Sequence, residues 1–99
     1  MNLSPVYYEV NIEVQKDIYE EYMAWLQAHI QKMLAIPGFE KADLSEKNAR
    51  GKYQLVVLYQ LASKDHLDQY FENHAPLMRQ EAFTRFGEKV KIERRILEA

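Results

Sequence analysis

The stretch YQLVVLYQL at residues 53–61 is apolar on both phases of a two-residue period and decides how the rest of the chain is arranged. Successive side chains of a strand point to opposite faces, so a strand with two apolar faces needs cover on both. We therefore predict a central strand of a sheet here. Its apolar side chains divide between the two faces, with Leu55, Val57 and Tyr59 on one and Val56 and Leu58 on the other.

Upstream of this strand, the hydrophobic period changes twice. Residues 6–14 alternate apolar and polar, which predicts a first strand. Residues 16–36 follow the 3.6-residue period of a helix, and Pro37-Gly38 ends it. Residues 39–47 are charged and weakly patterned, as expected of an edge strand, and residues 48–52 with Gly51 predict a hairpin turn.

Downstream, Ser63 is predicted to cap a second helix whose first turn carries Asp65, where the helix dipole favours a negative charge. Pro76 disfavours helical geometry at the residue before it, so we expect this helix in two pieces. The second piece covers residues 77–86, and residues 89–97 predict a last strand.

The order of elements is strand-helix-strand-strand-helix-strand. It predicts one ferredoxin-like α+β domain over residues 1–99, with a four-stranded antiparallel sheet in which the first and third strands are central. Two helices cover only one face of such a sheet, whereas Val56 and Leu58 lie on the other. A symmetric partner is the simplest cover, so we expect a homodimer and a dimeric α/β barrel. Glu9, Asn11 and Glu13 on that face would need polar partners in such an interface.

Composition excludes several classes of function. The 99 residues carry 13 basic and 15 acidic side chains, without the basic stripe that nucleic acid requires. No cysteine is available for a disulfide or a thiolate metal site, and no apolar run approaches the roughly 20 residues that span a bilayer. The first residues do not have the pattern of a secretion signal, so a cytoplasmic location is expected. No phosphate loop, nucleophile elbow or metal-ligand spacing is present, and we expect no cofactor.

Five residues form the predicted ligand site, between the first helix and the sheet. Trp25 and His29 lie four residues apart on the inner side of the helix, and Tyr8 and Tyr59 lie on the two central strands. Arg94 lies between Ile92 and Ile96 on the last strand. The same polar groups could instead hydrogen-bond one another in a plain core, with His29 satisfied by one bond. The predicted ligand is a small aromatic or anionic compound.

Two further polar residues lie where the period calls for apolar ones. Arg79 falls between Phe83 and Phe86 on the second helix. Like Arg94, it must pair with a carboxylate, extend to the surface along its stem, or meet an anionic ligand. We expect pairing, or extension to the surface, for both arginines. His74 lies just before the Pro76 break, where a capping or polar contact is favoured over metal or haem ligation.

Four segments resemble a small bacterial family of unknown function: WLQAHI at residues 25–30, HAPLMR at 74–79, RFG at 85–87 and RRILE at 94–98. The likeness covers nearly the whole chain in order. That family is placed among the dimeric α/β barrels, which include the cofactor-free antibiotic biosynthesis monooxygenases and related haem-degrading proteins. The resemblance implies the fold and a dimer, and it supplies no activity.

The haem-degrading members of that superfamily use an Asn on the first strand, a Trp on the third and a His on the second helix. Asn11 and His74 lie on comparable elements, but the only tryptophan is Trp25, and the third strand has Tyr59. Two classes of function remain open. One is a small-molecule binding or interaction module, and the other is a cofactor-independent monooxygenase or isomerase acting on an aromatic substrate.

Overall fold

A computed structural model describes residues 5–49 and 52–98. The first strand, β1, spans Val6–Val14, and a short 3-10 turn, Lys16–Ile18, leads into helix α1, Tyr19–Leu34. Strands β2, Phe39–Ala49, and β3, Lys52–Leu61, follow. Helix α2 covers Lys64–Asn73 and helix α3 covers Ala75–Phe86. A second 3-10 turn, Gly87–Lys89, precedes strand β4, Val90–Glu98. The predicted order of elements is therefore confirmed, although Gly51 of the predicted hairpin turn lies outside the described residues.

The four strands form one antiparallel sheet in the order β2-β3-β1-β4. β1 and β3 are central, as their two-residue patterns predicted. Residues paired across strands share a face, so the register decides which side chains meet. Tyr8 pairs with Tyr59 and Ile96, and the adjacent row on the same face joins Val10, Val57 and Arg94.

The core lies between the helices and one face of the sheet. α1 buries Tyr22, Leu26, Ile30 and Met33, which fall on its predicted apolar stripe. Fully burying a side chain of this size stabilises the fold by roughly 1.5–3 kcal/mol, so the stripe holds α1 on the sheet. The strands contribute the residues of one phase only: Val6, Tyr8, Ile12 and Val14 from β1 and Leu55, Val57, Tyr59 and Leu61 from β3.

The connection after α1 depends on Gly38, whose φ of 93° is a conformation that side chains disfavour. A Cβ atom at this position would overlap the imidazole of His66, which lies against the glycine. The Gly38 carbonyl accepts a hydrogen bond of 2.9 Å from the backbone N–H of Ala62 at the end of β3. The chain therefore turns from α1 into the edge strand through a position that only glycine fits.

The second helical segment is broken in two, as predicted. Ser63 caps α2, since its Oγ accepts a hydrogen bond of 3.3 Å from the backbone N–H of His66. Pro76 lies in the first turn of α3, where its missing N–H has no intrahelical partner to lose. The prediction that the His74 side chain makes a capping contact at this break is wrong. The imidazole instead lies parallel to the Tyr70 ring, at 6.5 Å between centroids, and only its backbone groups make hydrogen bonds at the junction.

The other face of the sheet carries charged side chains, several of which are paired within the chain. Glu9 accepts hydrogen bonds from Asn11 Nδ2 at 2.8 Å and from Arg95 Nε at 2.9 Å, and these contacts lower its carboxyl pKa. Glu13 lies 3.3 Å from Lys52 Nζ. Val56 and Leu58 of β3 are only half-buried on this side. We call this surface the open face.

Candidate functional site

A small cavity lies between α1, α3 and the inner face of the sheet. The five residues of the predicted site, Tyr8, Trp25, His29, Tyr59 and Arg94, all line it. Its volume is about 50 Å³, enough for a few waters but not for an aromatic compound. We call it the inner cavity.

Trp25 and His29 form one wall of the inner cavity because they occupy successive turns of α1. Their rings are stacked, with centroids 4.8 Å apart and planes 12° apart. The edge of Phe86 from α3 meets Trp25 at 5.5 Å and Tyr22 at 4.9 Å between centroids. The indole is therefore held from two sides, and it holds the imidazole in turn.

His29 is neutral at physiological pH. Burial and, to a smaller extent, the charge of Lys32 lower the pKa of its imidazole to about 4, against the opposing charge of Glu81. Within the described part of the chain, no side-chain hydrogen bond to either ring nitrogen is found. The expected core histidine with one hydrogen bond is thus not what the structure has. Its ring carries one donor and one acceptor beside the cavity.

Tyrosine side chains form the opposite wall. Tyr8 stacks with Tyr59 at 6.1 Å between centroids and meets Tyr70 of α2 at 5.9 Å. Burial raises the pKa of Tyr70 to about 12 and that of Tyr59 further still. These phenols therefore stay protonated and can donate hydrogen bonds at any physiological pH.

A second concavity, which we call the outer groove, opens between α3 and β4. It has a volume of about 270 Å³ and adjoins the inner cavity. The two share several lining residues, namely Tyr22, Arg79, Ala82, Ile92 and Arg94. Phe83 and Phe86 of α3 complete its wall, and Phe83 is 67% exposed. A ligand that entered by the groove could reach the inner cavity without crossing the core.

Arg79 and Arg94 border both concavities, but the expected carboxylate partners are not found. Among residues 5–49 and 52–98, no carboxylate lies within 4 Å of either guanidinium. The Arg79 guanidinium carbon lies 5.7 Å from the centroid of the Phe71 ring. Both side chains are exposed. Of the expected alternatives, the structure therefore supports extension of the side chain to the surface along its aliphatic stem.

The structure does not bring together Asn11 and His74, the two residues on elements comparable to those of the haem-degrading proteins. Asn11 belongs to the open face and donates to Glu9, while the inner cavity lies on the other side of the sheet. His74 is not a lining residue of that cavity. In the described ranges, no three His, Asp or Glu side chains are grouped so that they could hold a metal ion.

Sequence reasoning missed part of the lining. The sequence pattern places Phe83 and Phe86 only as neighbours of Arg79, and it gives no indication that Tyr22 and Tyr70 line a site. The signal that could have found the groove was Arg79 itself, because it interrupts the inner side of α3 as Arg94 interrupts β4. Two cations at apolar positions on elements that pack together indicate a shared solvent-facing cleft.

The fold and these concavities define an α+β protein of ferredoxin-like topology with a pocket between helices and sheet. The chain belongs to the family described as domain of unknown function DUF4286, whose model matches residues 5–99. Comparison with curated proteins finds no match. No helix in the part of the chain that the structure describes is long and apolar enough to cross a membrane.

Solved structures of low identity share the fold. SnoaB, a cofactor-independent oxygenase from Streptomyces nogalater, matches with a TM-score of 0.75 at 14% identity, covering 97% of this chain and 93% of its own. A Nitrosomonas europaea protein proposed to be an antibiotic biosynthesis monooxygenase has a TM-score of 0.76 at 11% identity, covering 100% and 93%. A Bacteroides thetaiotaomicron protein of unknown function has a TM-score of 0.76 at 14% identity, covering 99% and 100%. These likenesses establish that the chain shares the fold of these proteins.

Proposed function

We propose that this protein is a small-molecule binding module that takes an aromatic compound between α1 and the sheet. The observation that carries the proposal is the neutral, unbonded imidazole of His29, held flat against Trp25 beside the inner cavity. Its ring nitrogens are not sealed in the core, since no buried side-chain nitrogen or oxygen among the described residues lacks a partner, and they are therefore accessible to a ligand. The other polar groups at the inner cavity belong to Tyr8, Tyr59 and Arg94.

The inner cavity must widen for such a ligand, and the outer groove supplies the adjoining volume. Met78 lines the inner cavity and the exposed Phe83 lines the outer groove, and both are side chains that change rotamer at low cost. The joint space reaches the lower end of the size range of small-molecule sites. Entry from the α3 side leaves the tyrosine wall undisturbed.

A thermal-shift screen of aromatic compounds tests the proposal, followed by the variants His29→Ala and Trp25→Ala. Ligand binding to the native state raises Tm, and the rise should be lost in both variants if they remain folded. Leu77→Ala is the matched control because Leu77 is 62% exposed and lines neither concavity. Compounds that stabilise both site variants as well as the wild type would place the binding site elsewhere.

The same observation favours a second candidate, a cofactor-independent oxygenase or isomerase. The neutral imidazole beside the cavity has a free acceptor nitrogen, but its lowered pKa makes it a weak base, so the substrate must itself carry a strongly acidic C–H or phenol. In the oxygenase case, the resulting carbanion is oxidised by O2, so that a CH2 group and one O2 give a C=O group and one water. Oxygen consumption with a compound found in the screen, lost in His29→Phe, would support catalysis. Binding without turnover or isomerisation would leave the protein a binding module.

We further propose that the protein is a homodimer joined through its open face. Val56 and Leu58 leave apolar surface there, and the exposed Leu97 adds to it. Two of the carboxylates that would make such an interface costly are already engaged, since Glu9 is held by Arg95 and Asn11 and Glu13 lies near Lys52. Closed two-fold dimers are the commonest assembly of small soluble proteins.

A further inference from the structure

We propose that Arg79 and Arg94 form an anion subsite in the outer groove and that the ligand of this protein is an aromatic carboxylate. The inference rests on the proposed function and names the chemistry of its ligand. The two arginines come from different elements, α3 and β4, and both line both concavities.

Neither guanidinium is neutralised by a carboxylate among the described residues. No described carboxylate lies within 4 Å of Arg79 or Arg94, while Lys52, Lys89 and Arg95 all have such partners. Their positive potential reaches into the core. Both arginines act to lower the pKa of Tyr70 against the effect of burial, and Arg94 acts likewise on Tyr22.

The composition of the groove suits an aromatic anion. Besides the two arginines, its wall is aromatic and aliphatic, with Phe83, Phe86 and Ile92, and no acidic side chain lines it. A guanidinium pairs with a planar carboxylate through two parallel hydrogen bonds, and the phenylalanine faces suit the body of an aromatic acid.

The C-terminal end of α3 favours a carboxylate over a phosphate in this groove. Phe86 and Gly87, which end α3, line the groove. The carbonyl end of a helix carries partial negative charge and disfavours anions within about one turn. A singly charged carboxylate tolerates that field better than a doubly charged phosphate ester. The ring would then extend from the groove toward Trp25.

Isothermal titration calorimetry with 2-naphthoate and its neutral analogue 2-naphthamide tests this inference. The wild type should bind the acid about tenfold more tightly than the amide, since one charge-assisted pair of hydrogen bonds is worth that factor. Arg79→Gln and Arg94→Gln should each bring the ratio of the two affinities toward one, because each removes a charge that only the acid can pair with. Arg85→Gln is the matched control, an arginine of the same helix that does not line the groove.

Equal affinity of the wild type for acid and amide would overturn the anion subsite and leave the aromatic pocket standing. A preference for the acid that survives in both glutamine variants would also overturn it. Binding of neither compound would contradict the subsite and the proposed aromatic site together. Tighter binding of 2-naphthyl phosphate than of 2-naphthoate would contradict the assignment of a carboxylate.

Discussion

The imidazole of His29 lies flat against the indole of Trp25, 4.8 Å away between ring centroids, at the wall of a cavity that also contains two tyrosine rings. This contact buries a titratable group without giving it a hydrogen-bonding side chain. Burial therefore favours the neutral form, and protonation of His29 must act against the folded state.

The first prediction is a loss of stability in mild acid that depends on His29. Its pKa is about 4 in the folded protein against an ordinary value of 6.5, so the unfolded state binds more protons between these pH values. The contribution of neutral His29 to the free energy of unfolding is complete above pH 6.5 and is lost as the pH falls toward 4. From pH 7 to pH 5 we expect the free energy of unfolding to fall by about 2 kcal/mol through this residue.

Urea denaturation of the wild type and of His29→Phe at both pH values measures this effect. Phenylalanine keeps a ring against Trp25 and cannot titrate, so the difference between the two proteins should grow by that amount at pH 5. If the free energies of unfolding of the two proteins change in parallel with pH, the imidazole is solvated and the predicted effect of its burial is wrong.

The second prediction concerns Gly38. In Gly38→Ala, the new methyl group must occupy a φ of 93° and overlap the His66 ring, and we expect a loss of about 2–4 kcal/mol. Gly87→Ala is the control for backbone strain without overlap: its φ of 56° and ψ of −134° also favour glycine, but no heavy atom lies within 4 Å of the new Cβ, and we expect a smaller loss of about 1–2 kcal/mol. Thermal or chemical denaturation gives both values.

His66→Ala in the Gly38→Ala background separates the overlap from the backbone strain. Removal of the ring should recover part of the loss. If the double variant loses more stability than the two single variants together, overlap with the His66 imidazole is not the cause of the loss in Gly38→Ala.

The third prediction is that Leu58→Asp on the open face dissociates the proposed dimer. An uncompensated carboxylate in an interface costs several kcal/mol, roughly, while the same group in a monomer remains hydrated. Sedimentation velocity at micromolar concentration should show a dimer for the wild type and for Leu77→Asp, and a monomer for Leu58→Asp. A monomeric wild type would remove the basis for the dimer.

The fourth prediction is that Arg94→Met leaves thermal stability nearly unchanged. Arg94 is exposed and has no ion pair among the described residues, so the substitution breaks no pair. Arg95→Met is the comparison, since it frees Glu9 from a contact of 2.8 Å and should cost about 0.2–1 kcal/mol. A larger loss for Arg94→Met than for Arg95→Met would point to a structural role for Arg94.

Local pattern was enough to predict the elements of this fold. The two-residue period of residues 6–14 and the doubly apolar stretch at 53–61 predicted the central strands, and Pro76 predicted the break between α2 and α3. These signals work because side-chain direction along a helix or strand repeats with a fixed period, and because proline and glycine act on their own backbone. The apolar stripe of α1 likewise identified the side that carries Trp25 and His29.

The pairing of polar groups was beyond such reasoning. Arg94 and Arg95 are neighbours in the sequence, and only Arg95 meets a carboxylate, because adjacent residues of a strand point to opposite faces and Glu9 lies on the open face. His29 was expected to have a hydrogen bond, and its position against Trp25 leaves it without a side-chain partner. The sequence by itself determined the order of the elements, the central strands and the inner side of α1, since these follow from local periodicity. The unpaired arginines and the groove that they share with Phe83 were decided by the tertiary structure, because they depend on how α3 packs across β4.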